Sequence, residues 1–230
     1  MFKYAFEGTV IMIGILFSFY IEEMRVESKN IEIKNELLSD LNGSLVDDLE
    51  QINNIKELLN ESLESISELQ TDMNNNHQLL SNLESLKKII DVNVSISFFP
   101  EDGVFTELIS SGSFELIKNK QLKSKLLEIY NHQKERNYSI SDDMDVLGKD
   151  YEIAVLQNFR ISLDYNSLDG EFYGKPILND YKFDRDYYLS NELYGLLTTN
   201  YLFGVMYSRL LNDIQKGYIA TLALSKKEIS

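Results

Sequence analysis

Thirteen consecutive residues near the start of the chain, Thr9–Ile21 (TVIMIGILFSFYI), carry no charge, and a long, acidic, helix-patterned stretch follows them. Widened to 5–21 the run is 17 residues, interrupted only by Glu7. At 1.5 Å of rise per residue that is about 25 Å of helix, the short end of what crosses a hydrocarbon core. A cleaved secretory signal needs small residues where its apolar run ends. Here Ser18-Phe19-Tyr20-Ile21-Glu22-Glu23 places bulky ones. The competing reading is a buried core helix. Tyr4 and Tyr20 sit near the two ends, as interfacial aromatics do. The expectation is a single transmembrane helix over residues 1–24.

Two details fall inside that segment. Gly14 and Ser18 are four residues apart, a spacing that lets a second helix approach closely; chance gives such a pair equally well. Glu7 lies about one turn inside the apolar boundary, where an ionisable group is either functional or placed at headgroup level. Lys3 precedes the run and Arg25, Lys29 and Lys34 follow it, a basic count that leans toward a cytoplasmic C-terminal part.

From Ile31 to Met73 the apolar period is helical. Leu38, Leu41, Leu45, Leu49, Ile52, Ile55, Leu59, Leu63, Ile66, Leu69 and Met73 make ten steps over 35 residues, a mean of 3.5. Leu37, Val46 and Leu58 widen the stripe, which suits a bundle better than a two-stranded zipper. Eleven acids share the stretch with only Lys34 and Lys56, so two parallel copies would repel each other. The segment 118–136, rich in lysine, is the natural internal partner for that acidic face; two solvated faces are the alternative.

The remainder reads as shorter helices. Asn74-Asn75-Asn76 is a turn, and 78–90 a helix. Residues 92–99 alternate like a strand but find no clear mate, so they read as an extended connector ending at Pro100. A short helix over 101–109, a turn at Ser110-Ser111-Gly112, and a helical turn capped by Ser113 follow. A long helix is predicted from about 122 to 163, an irregular aromatic-rich stretch over 164–190, and a core helix from 193 to about 224. The domains expected are an anchor (1–24), a helical stalk and bundle (25–163), and a connector with a C-terminal helix packing on the bundle (164–230). The fold class is all-α.

Chemistry is harder to find. The formal charge of −15 argues against nucleic acid. There is no cysteine, and two histidines, His77 and His132, leave little for a metal site. Asp164–Lys175 resembles a calcium loop but puts Leu168 and Lys175 where ligands belong. Asp142, Asp143 and Asp145 form a cluster that could meet a divalent ion, though such a cluster is more often a solvated helix face. No cofactor motif or catalytic signature is present. Tyr173, Tyr181, Tyr187 and Tyr188 are the candidate interaction surface, against the plainer reading of a lid on the helical core.

Two stretches resemble the DUF6090 family of uncharacterised single-pass membrane proteins of Bacteroidota-type bacteria. The first is Tyr4-Ala5 through Ile21, with Glu7 seven residues before Gly14 in Ile13-Gly14-Ile15-Leu16. The family's Gly-Glu is here Phe6-Glu7, and Glu22-Glu23-Met24 stands in place of its Asn-Asn-Trp exit. The second is Phe105–Asn119 (FTELISSGSFELIKN). The resemblance implies a bacterial inner-membrane protein with its helical part in the periplasm, against the local basic count, and no known activity. The functional expectation is a non-catalytic, membrane-anchored interaction or scaffold protein with an envelope or membrane protein partner, self-association being left open. The alternatives are a ligand-sensing input domain acting through a membrane partner and an enzyme using carboxylates alone, such as Asp142, Asp145 or Asp184.

Overall fold

The structure is a computed structural model that describes residues 2–92, 96–166 and 175–229, with backbone alone for 2–7, 9, 165, 166, 175 and 176. Its helices are α1 (Phe2–Asn74), α2 (Asn82–Asp91), α3 (Gly103–Ser110), α4 (Lys120–Leu127), α5 (Lys134–Asn158), α6 (Arg185–Tyr188) and α7 (Asn191–Ile229). A 3-10 turn (Ser113–Leu116) precedes α4, and a π-helical segment (Glu128–Gln133) joins α4 to α5. Strands β1 (Arg160–Asn166) and β2 (Lys175–Lys182) lie between α5 and α6. The chain forms two compact units, one of Met1–Asp47, Glu101–Tyr130 and Gly217–Ser230, the other of Asp48–Pro100 and Asn131–Lys216.

α1 runs unbroken because nothing in it stops a helix: it has no proline, and Gly43 stands in open space. The stripe does what its period requires. Nine of its eleven positions are buried, Leu49 and Leu63 being half-buried. Full burial of each such side chain contributes about 1.5–3 kcal/mol. The acidic face is not uniformly solvated, however: Asp48 and Asp72 are buried. N-terminal to the stripe the helix is bare. Side chains from Val10 to Val26 are exposed on all sides. Among the described residues no helix is long and apolar enough to cross a membrane. The structure therefore shows the expected helix over this segment without showing a span.

In the first unit, Phe105 of α3 stacks on Tyr130 at 4.5 Å and meets Phe114 edge-on at 6.2 Å. The turn expected at Ser110-Ser111-Gly112 is present, with Gly112 at φ 77°, a conformation that favours glycine. Ser113 does not cap the 3-10 turn that it opens; it is buried and accepts a hydrogen bond from the Ser111 hydroxyl at 3.0 Å. Asn119 is the working cap, its side chain accepting from the amides of Gln121 (2.9 Å) and Leu122 (3.2 Å) at the start of α4. Lys123 and Lys125, expected along the stalk, pair locally with Glu115 and Glu128.

In the second unit, α5 ends at Asn158, five residues before the expected end, and the chain turns into a hairpin. The strands are antiparallel, with Ile161 opposite Tyr181 and Leu163 opposite Leu178. The register shifts between Ser162 and Leu163, leaving Asn179 as a bulge. The all-α expectation holds for the bulk of the fold: the described residues are mostly helical, and this two-stranded hairpin is the departure from it. β2 (KPILNDYK) gives no apolar alternation, so the pairing comes from proximity in the chain rather than from a visible pattern. The core of this unit joins Ile66, Leu69 and Met73 of α1 to Leu86 and Ile89 of α2, Tyr151 and Val155 of α5, Tyr187 and Tyr188 of α6, and Leu193 and Leu197 of α7.

Candidate functional site

Among the described residues, a densely bonded polar cluster centres on Asp72, at the end of the α1 stripe and fully buried. After α1 the backbone turns back through Asn76 and His77, both in the left-handed region (φ 53° and 54°). That turn returns the imidazole and two backbone amides to the carboxylate. Asp72 Oδ1 accepts from the amides of Leu79 (2.8 Å) and Leu80 (3.0 Å). Its Oδ2 lies 2.7 Å from His77 Nδ1 and accepts from the Tyr188 hydroxyl at 2.7 Å. His77 Nε2 lies 2.7 Å from Asn82 Oδ1, and the ring stacks on Phe183 at 5.0 Å. Burial works against the charge of Asp72, but the bonds from His77, Tyr188 and the two amides outweigh it and hold the carboxyl below its ordinary range. Burial pushes the Tyr188 hydroxyl up, and its bond to Asp72 adds to the effect.

The first unit carries a second node of the same type. Glu228, on the last turn of α7, accepts from the amides of Lys118 (2.8 Å) and Asn119 (3.0 Å) and from Lys34 Nζ (3.3 Å). Both charged side chains are over nine-tenths buried. Burial again opposes the charge, and the Lys118 amide, Lys34 and the Asn119 amide together hold Glu228 low. Lys118 and Asn119 end the FTELISSGSFELIKN stretch, so the turn chemistry of that stretch delivers a pair of amides to a carboxylate.

Of the four tyrosines considered for a binding surface, Tyr187 and Tyr188 are buried in the core. Tyr187 meets Phe159 edge-on at 5.3 Å. Tyr181 is 37 % exposed on β2, and Tyr173 lies outside the described residues. The backbone of Glu7 belongs to α1, while its side chain lies outside the described residues. Around Gly14 there is open space, and the Ser18 hydroxyl is turned back onto the Gly14 carbonyl at 2.9 Å. His132 falls in the π-helical segment.

Residues 96–99 pack as a connector, and a closed ring of hydrogen bonds fixes them. The Phe98 amide donates to Tyr207 Oη (2.8 Å), Tyr207 donates to Asn137 Oδ1 (3.0 Å), and Asn137 Nδ2 donates to the Phe98 carbonyl (2.7 Å). All three residues are buried, so one Asn and one Tyr replace the partner strand that the alternation of this segment would otherwise require. The connector and one face of α5 bound an open cleft of about 450 Å³. Among the described residues no group of three or more acidic or histidine side chains is placed to hold a metal ion.

Sequence reasoning missed both nodes. Asp72 reads as one of many acids on a solvated face, although it adjoins Met73 at the stripe's end. The Ser81-x-x-Glu84 pattern, a capping box in the structure, was a visible sign that α2 starts there.

Geometry thus defines a mostly helical protein, organised around buried carboxylate nodes, with a bare apolar helix end. The model of a family of unknown function, DUF6090, matches residues 7–183, and the chain belongs to that family. No curated protein and no solved structure matches it.

Proposed function

We propose that this chain is a membrane-tethered helical interaction protein without catalysis of its own. In this reading its apolar helix end sits in the bacterial inner membrane. Its helical units lie on the periplasmic side and engage an envelope or membrane protein. The observation that carries the reading is the state of α1 from Val10 to Val26. Twelve large apolar side chains there are each between 47 and 69 % exposed. Because 10–13, 15–17 and 19–21 are consecutive, they cover every side of the helix. A helix apolar all round is at home inside lipid or protein rather than in water. The uncharged run Thr9–Ile21 continues toward residue 5 with Glu7 as the one interruption, which brings the apolar length near the lower spanning limit.

Membrane fractionation with alkaline extraction tests the tether. The full chain is expected to stay in the pellet, and a chain lacking residues 1–24 to be released. Full-length protein in the supernatant overturns the reading. A topology reporter fused after Ser230 tests the side, with a periplasmic signal expected.

A further inference from the structure

The cleft between the connector and α5 is lined by acidic, aromatic and hydroxyl side chains. Glu135, Tyr138, Asp142 and Asp145 recur at helical spacing along one face of α5 and line it, and Phe99 lines it from the connector. Phe99 and Tyr138 are both substantially exposed. The ring of bonds through Phe98, Asn137 and Tyr207 holds the connector in place while leaving Phe99 outside the core. Ser141 also lines the cleft; it is over nine-tenths buried, and its hydroxyl has no hydrogen-bond partner. A buried hydroxyl without a partner is unusual and marks a position where an incoming donor would be accepted. The carboxylates are strung along the helix rather than gathered on a point, and they form no metal-holding group. Such a strip suits an ammonium carried on an alkyl stem better than a bare metal ion. The aromatic lining fits the same ligand, since an ammonium is attracted to an aromatic face. The protein's own Lys134 ammonium lies 5.5 Å from the Tyr138 ring centre.

We propose that this cleft binds an aliphatic ammonium group, carried by a free amine or by a lysine side chain of a partner. The carboxylates of Asp142 and Asp145 attract the ammonium, Tyr138 and Phe99 flank its alkyl stem, and Ser141 accepts one N–H. The site does not depend on the membrane reading above.

Titration calorimetry of the full chain in mild detergent tests this, with 1,5-diaminopentane, the peptide acetyl-Gly-Lys-Gly-amide, and 1,5-pentanediol as the uncharged control. Saturable binding of at least one ammonium probe, and none of the diol, is expected. The Asp142→Asn/Asp145→Asn double variant should weaken binding at least about fivefold, from two partly exposed charge contacts. Tyr138→Leu should weaken it about two- to fivefold. The whole chain is acidic, so a second double variant, Glu57→Gln/Glu61→Gln on an exposed face of α1, removes the same charge elsewhere and should leave binding within about twofold. Thermal melts of each variant show whether it remains folded. Binding of the peptide alone assigns the source as a partner's lysine, and binding of the diamine alone assigns a free amine. Failure of both probes, or equal weakening by the two double variants, overturns the proposal.

Discussion

Two of the buried carboxylates, Asp72 in one unit and Glu228 in the other, use the same device with different partners. Each accepts from two consecutive backbone amides, Leu79 and Leu80 in one case, Lys118 and Asn119 in the other. In both, the amide pair lies at the entry to a helix, α2 capped by Ser81 and α4 capped by Asn119. A carboxylate at a helix entry satisfies amides that would otherwise lack partners and meets the positive end of the helix dipole. The side-chain partners differ. Asp72 is held by a flat ring and a phenol, both packed in an aromatic cluster; Glu228 is held by one lysine on a flexible stem. The Asp72 node therefore fixes a turn, an aromatic cluster and two helices together, whereas the Glu228 node ties one loop to α7 and α1.

Removing each carboxylate separates the two cases, and the larger effect is expected at Asp72. Asp72→Leu takes the shared acceptor from a buried phenol, a buried imidazole and two part-buried amides and should cost about 3–5 kcal/mol in urea unfolding. Asp72→Asn keeps an acceptor for the amides and should recover part of that loss. Next in size is Glu228→Leu, at about 2–4 kcal/mol, because it leaves Lys34 buried without its counter-charge. Replacing both partners, Lys34→Met with Glu228→Leu, should be less harmful than Glu228→Leu alone, since no buried charge remains. If the double variant is the worse of the two, the ammonium is bonded to more than Glu228 and the comparison fails.

Acid sharpens the same contrast. Both carboxyls are held below their ordinary values, near 3.8 for Asp and 4.5 for Glu. A group whose value is lowered by folding contributes stability that is fully present above its unfolded value. That contribution is lost as pH falls through the lower, folded one. Both nodes should thus hold at neutral pH and weaken below about pH 4. In Asp72→Asn and Glu228→Gln the stability curve should be flatter between pH 5 and 2, each variant removing its own share, as measured by denaturant midpoints across that range. Midpoints that rise as the wild type is acidified would reverse the sign of this argument.

What the amino-acid order reveals depends on whether a signal repeats. The α1 stripe repeats ten times, and nine of its eleven positions are indeed buried. The turn at Gly112, the ends of α3 and the start of α7 were legible within a few residues, because glycine and helix periodicity act locally, while α7 runs five residues past its expected end. The nodes were not, because a buried acid differs from a solvated one only in what folds back over it. For Asp72 that is His77 and Tyr188, the second 116 positions away. The hairpin was hidden for a related reason. β1 shows alternation, but β2 offers Asn179-Asp180 in its middle, and the bulge at Asn179 breaks the period. Likewise, the alternating residues up to Phe99 look like a strand in search of a mate; the mate is a pair of side chains, Asn137 and Tyr207, which no pairing pattern announces.

The smallest expected effects lie at the two caps beside the nodes, and they test whether node and cap act as one. Ser81 accepts from the Glu84 amide at 3.3 Å, and Glu84 returns a bond to the Ser81 amide at 2.8 Å. Asn119 accepts from two amides and also donates its own to Glu228. Either residue changed to Ala should lose about 1 kcal/mol, the usual value of a cap. The two should differ once the neighbouring carboxylate is gone. Asn119 shares its position with the Glu228 bond, so Asn119→Ala in a Glu228→Gln background should cost clearly less than in the parent. Ser81 follows the Asp72 amides without sharing one, so Ser81→Ala should cost nearly the same with Asp72 or with Asn at position 72. Double-mutant cycles from urea midpoints measure both couplings. Equal coupling at the two sites would mean that the caps see the nodes only through the common electrostatics of a helix N-terminus, and the distinction drawn from backbone geometry would not stand.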